Sequence, residues 1–80
     1  MNEKYLLCIA HALYSTRLHL LTLTEVVRHE IKPDEDGLMR LPPELDDEMR
    51  DLAFDYLLAL FPPEFHPNLL AERNKWMTQQ

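Results

Sequence analysis

The sequence predicts an all-α domain of three helices, the first much longer than the other two. Three observations carry this. Residues 4–32 hold neither Pro nor Gly, and their sixteen apolar residues recur at helical spacing. The six prolines are confined to residues 33–67 and divide the rest of the chain into short segments. Apolar residues make up 46% and charged residues 28%, a balance that suits a folded domain and not a disordered one. Eighty residues make one domain, 1–80.

Helix 1 is expected over about residues 3–31. Leu6, Ile9, Leu13, Thr16, Leu20, Leu23 and Val27 step by three and four residues and form a packing seam. Leu7, Ala10, Tyr14, Leu18 and Leu21 form a second row beside it. Two adjoining rows give the wide stripe of a core helix in a bundle. A break near residues 15–24 stays open. Thr22 and Thr24 are β-branched, Leu18 to Leu23 could run as a strand, and Thr22 with Glu25 matches a capping box. Pro33 disfavours helical geometry at Lys32, so the helix stops by Ile31.

Residues 32–43 read as a connection, with turn chemistry at Pro33, Asp34 and Gly37. Leu38, Met39 and Leu41 are apolar for a loop and are expected to tuck against the helices. Helix 2 is expected over 43–61, with Pro43 at its first position and acids over its positive dipole end. Leu45, Met49, Leu52, Ala53, Tyr56, Leu57 and Leu60 line one face; Phe54, Leu58 and Phe61 line another. Its C-terminal end should therefore be buried on more than one side. Pro62 and Pro63 end it, PPEFHP makes an extended corner, and helix 3 follows over 67–78 with its last residues fraying. Phe61, Phe65 and Trp76 are expected to lock helix 3 down; an exposed Trp76 would instead mark a binding hot spot.

Lengths then point to a partner. At 1.5 Å per residue the three helices span about 43, 28 and 18 Å. The shorter two cover one side of helix 1 at best. A chain of this size buries only about 60–65% of its unfolded surface, and its lone cysteine, Cys8, forms no intrachain disulfide. The simplest completion of the bundle is a homodimer through helix 1, using Leu6, Ile9, Leu13, Leu20, Leu23 and Val27.

No pattern specifies a reaction, so the chain reads as no enzyme, with no catalytic residues, no metal site and no cofactor. Cys8, His11 and His19 share a helix face but lack the second close pair of a zinc site. The DEDG turn at 34–37 fails the calcium-loop template, which would put Lys32 and Pro43 at ligand positions. Ser15 and His19 stand at i, i+4 without a third orienting group or an oxyanion hole.

Charge is segregated. Net charge is −6, which argues against nucleic acid as a direct ligand and against anionic membrane surfaces. Asp34, Glu35, Asp36, Glu44, Asp46, Asp47, Glu48, Asp51 and Asp55 face only Arg40 and Arg50, so residues 34–55 carry −7 while residues 1–33 carry +1. Such a band reads either as a solvated helix start that keeps the chain soluble or as a docking surface for a protein with a basic face. The N-terminal run resembles a signal segment, but Glu3 and His11 interrupt it, and no stretch approaches the ~18–20 apolar residues of a membrane span. The expectation is a soluble, cytoplasmic, non-catalytic regulator that binds another protein stoichiometrically. Inhibitors, antirepressors, immunity proteins and anti-defence factors of bacterial mobile elements share this size and charge. One alternative is a structural adaptor subunit of a helical assembly. A second is a dimeric nucleic-acid regulator that pools Arg17, Arg28, Lys32, Arg73 and Lys75.

Overall fold

The computed structural model describes residues 2–78. It is all-helical, with α1 at Glu3–Arg28, α2 at Pro43–Leu60 and α3 at His66–Met77; a 3-10 turn, Pro63–Phe65, precedes α3. The three expected helices are present. Fraying was expected beyond Thr78, and residues 79 and 80 lie outside the described residues.

α1 begins with Asn2, whose side-chain oxygen accepts from the Lys4 N–H at 2.8 Å. It then runs without a break. The capping pair Thr22 and Glu25 is not used as a helix start. Thr24 instead donates its hydroxyl back to the Leu20 carbonyl at 2.9 Å, and Glu25 reaches His29 at 3.0 Å. The helix ends at Arg28, three residues before the expected limit. Its end is a Schellman motif: the Glu30 N–H donates to the Val27 carbonyl and the Ile31 N–H to the Val26 carbonyl. Ile31 packs against the same cluster as Val26, the apolar contact that goes with this motif.

The motif places Glu30 at φ 53°, in the left-handed region where a Cβ is disfavoured. Glu30→Gly should therefore raise stability by about 1 kcal/mol. Chemical denaturation at equilibrium reads this as a higher midpoint with an unchanged slope.

The connection is held by Asp34. Its carboxylate accepts from the Asp36 and Leu38 N–H groups at 2.9 and 3.0 Å, and the Gly37 N–H donates to the Asp34 carbonyl at 2.9 Å. Gly37 turns the chain at φ 78°. Only Leu41 of the three loop apolars is buried; Leu38 and Met39 stay about half exposed, contrary to the expectation that they tuck in. The tight Asx turn spends the slack that would have let them reach the helices.

α2 starts at Pro43 as expected and stops at Leu60, with Phe61 extended before the two prolines. The α2–α3 corner is a 3-10 turn and not an extended segment; the Phe65 N–H donates to the Pro62 carbonyl, and His66 Nε2 lies 2.9 Å from the Phe61 carbonyl.

The main core joins Ala10 and Tyr14 of α1, Ala53, Phe54 and Leu57 of α2, and Leu69 and Trp76 of α3. Trp76 is 4% exposed and packs on Tyr14 and Phe54 at ring-centroid distances of 5.7 and 6.2 Å. It is a core residue, and Phe61 and Phe65 pair separately at 5.4 Å. A smaller cluster of Val26, Leu41 and Met49 closes the other end. α2 and α3 thus line one side of α1. The molecule is long and thin, with extents of 43 × 21 × 17 Å. Its radius of gyration is 14.0 Å, against about 12 Å for a compact chain of this length.

Candidate functional site

The second apolar row of α1 faces the core: Ala10 and Tyr14 are buried, and Leu7, Leu18 and Leu21 pack around them. The heptad row lies on the outer side. Leu6 is half-buried, while Ile9, Leu13, Leu20, Leu23 and Val27 are all exposed, Leu20 at 53% and Val27 at 77%. Thr16, the one polar member of the row, is exposed at its middle.

α2 extends this outer face. Leu52, Tyr56 and Leu60, which share a face at i, i+4 and i+8, are exposed. The sequence had assigned all three to the buried side of α2. That helix has more apolar positions than two neighbours can cover, so the core takes Met49, Ala53, Phe54 and Leu57 and leaves the flank outside. The Arg17 guanidinium lies 4.6 Å from the centre of the Tyr56 ring and ties the two helices together across the face. At an exposed site this contact contributes about 0.5–1 kcal/mol. Sequence reading missed the flank and the stacking. A visible signal was the width of the apolar arc on α2, too broad for one contact face.

The acids do not form one surface. Glu44, Asp47, Glu48, Asp51 and Asp55 are exposed and recur at helical spacing, making a ridge on the outer side of α2. Asp51 is paired with Arg73 at 2.8 Å, an exposed bridge of little energetic weight. Asp34 and Asp36 form a separate cluster on the connection with Arg40, at 3.3 and 4.0 Å, and Glu35 is exposed beside them. Asp46 turns inward and holds Arg50 Nε at 2.8 Å; Arg50 in turn donates to the Trp76 carbonyl at 3.3 Å. Asp46 therefore anchors α3 to α2 and belongs to the structure more than to a docking face. Burial works to lower the Arg50 pKa, but the Asp46 hydrogen bond and charge outweigh it and hold it above the usual value.

Between α1 and the α2–α3 layer runs a shallow depression of about 420 Å³, with His11, Ser15 and His19 on one wall and Arg50 and Trp76 on the other. His11 lies against Trp76 at 5.1 Å. Ser15 and His19 are exposed on its rim, and Cys8 is exposed one turn away. Among the described residues no group of three potential ligands is close enough to hold a metal ion. No family model, curated protein or solved structure matches this chain.

Tyr14 sits in the floor of the depression. Burial pushes its hydroxyl above the ordinary range, and the nearby Arg50 guanidinium pulls back only in part. A phenol whose folded pKa exceeds its unfolded one adds stability that is full below pH ~10 and is lost as pH rises through the folded value. Alkaline unfolding followed by circular dichroism should therefore set in above pH ~10. Tyr14→Phe should move that onset upward.

By length and composition α1 is apolar enough to cross a bilayer, more so than its sequence suggested. Only 11% of its most apolar window is fully buried, and Leu7, Leu18 and Leu21 pack half-buried against the core.

Proposed function

We propose that this chain is a small non-catalytic regulator that acts by stoichiometric protein binding, self-associated through the outer face of α1. The observation that carries the reading is the separation of two outward surfaces. One is the apolar row from Ile9 to Val27, which the chain's own helices leave uncovered. The other is the acidic ridge of α2, which lies apart from that row. An uncovered apolar row of this size marks an interface. An acidic ridge steers and orients a basic partner.

The basic residues support the same reading. Arg17 is committed to Tyr56, Arg28 to Glu25, and Arg73 to Asp51 and the Phe54 ring. They lie on α1 and α3 and form no single stripe along one helix.

The test is affinity capture from the cell that carries the protein, comparing wild type with a variant reversed at Glu44, Asp47, Glu48 and Asp55. Asp46 and Asp51 are spared because they hold Arg50 and Arg73. Salt-sensitive capture of the partner should drop at least tenfold while helical content is unchanged. A folded variant that captures the same partner at wild-type yield would remove the ridge from the mechanism.

A further inference from the structure

The shape of the uncovered face also specifies how it is filled. We propose that a second copy of this chain seats on it with the two α1 helices antiparallel, crossing at Thr16. The proposal rests on the self-association reading above and adds its geometry.

The first argument is area. The molecule exposes 5989 Å². A compact monomer of its 9.5 kDa mass would expose about 5,000 Å². The excess, roughly 1,000 Å², is comparable with the ~800 Å² that each partner contributes to a standard stable interface. Eight of the twelve exposed large apolar residues lie on the outer row of α1 and the flank of α2; Tyr5, Leu38, Met39 and Leu70 lie elsewhere.

The second argument is length. The outer row of α1 runs from the half-buried Leu6 to Val27, about 32 Å. The exposed flank of α2 runs from Leu52 to Leu60, only about 12 Å. A partner that offered its α2 to this row would leave Leu23 and Val27, at 45% and 77% exposure, in water. Among the described helices, only another α1 presents an apolar row of that length.

The third argument is register. The row steps by four, three and four after Thr16 and by three, four and three before it, so a copy inverted about Thr16 meets it to within one residue at every position. An antiparallel copy sets Leu6 against Val27, Ile9 against Leu23 and Leu13 against Leu20, and brings the one polar residue of the row, Thr16, onto its own copy at the two-fold axis. There its hydroxyls can donate and accept to each other. The antiparallel arrangement also opposes the two helix dipoles, which a parallel one would align. With the α2 flanks alongside, each Tyr56, held by Arg17, borders the centre of the interface.

Disulfide trapping tests this in the full chain, with Cys8→Ser to remove the native thiol. Thr16→Cys should link to its own copy and shift fully to twice the monomer mass on a non-reducing gel. Ile9→Cys mixed with Leu23→Cys should link as a heterodimer, while Ile9→Cys alone should not. In the antiparallel register two copies of residue 9 stand about 22 Å apart, far beyond the ~7 Å reach of a disulfide. Efficient linking of Ile9→Cys to itself means a parallel pair, which overturns this proposal and leaves self-association standing. A folded Thr16→Cys that does not link overturns the geometry. If wild type is also monomeric by light scattering, self-association falls with it. A monomer that instead co-sediments with neutral phosphatidylcholine vesicles would assign the face to a bilayer and overturn both. Thr16 is exposed, so its replacement does not disturb the core; should that variant misfold, the Ile9→Cys and Leu23→Cys pair decides the register by itself.

Discussion

Trp76→Ala should cost about 3–5 kcal/mol, the usual range for emptying an aromatic site in a core. Whole domains of this size are stable by only about 4–12 kcal/mol. The loss is large because Trp76 joins all three helices. Its ring lies against Tyr14 of α1 and Phe54 of α2, its backbone carbonyl accepts from Arg50, and it is itself the last buried residue of α3. The variant should lose α3 first, since Leu69 is then the only fully buried anchor left on that helix. Urea denaturation should show a midpoint lowered by at least about a quarter, and hydrogen exchange should show α3 unprotected. A variant within 1 kcal/mol of wild type would mean that α3 is held elsewhere, by the Phe61 and Phe65 pair.

The second large effect runs the opposite way: association lost and fold kept. Leu13 and Leu20 lie on the outer row and are 37% and 53% exposed. Two glutamates there stay solvated in the monomer, so Leu13→Glu with Leu20→Glu should shift folding stability of the isolated chain by no more than about 0.5 kcal/mol each. In a self-associated form they would be buried without partners, which costs several kcal/mol per charge. The dissociation constant should therefore rise at least a thousandfold, with helical content unchanged. The same two changes on the inner row, at Tyr14 and Leu18, should unfold the chain. If the outer-row variant unfolds too, the row is part of the fold and not an interface.

Much of the fold is legible in the sequence, for local reasons. Pro43 opens α2, the prolines at 62 and 63 close it, and the Pro-free, Gly-free run of residues 4–32 is α1 but for its last turn. That turn was not legible. A Schellman end at Glu30 uses a left-handed residue that carries a Cβ, so no glycine announced it. The alternative of a break at Thr22 was a real ambiguity. It was resolved by Thr24 donating its hydroxyl to the Leu20 carbonyl within one continuous helix, the alternative to capping that a threonine has in a helix interior.

The candidate surfaces were legible in part. Two apolar rows on α1 were visible, and the inner one took the core because Ala10 lets α2 and α3 approach closely while Tyr14 fills the gap beside it. The sequence also showed nine acids as one band. Spacing alone could not show that Asp46 turns in to hold Arg50, or that the connection folds its acids around Arg40. Asp46 meets Arg50 at the local i, i+4 spacing, but Arg50 is turned inward by the Trp76 carbonyl 26 residues further on, which no local pattern shows.

The most direct measurement is the mass of the wild-type chain in solution, by light scattering across a dilution series. A homodimer through the outer face of α1 predicts twice the 9.5 kDa of a single chain at micromolar concentration, falling to one chain on dilution. A single-chain mass at every concentration, from a protein whose circular dichroism shows it fully helical, would contradict it.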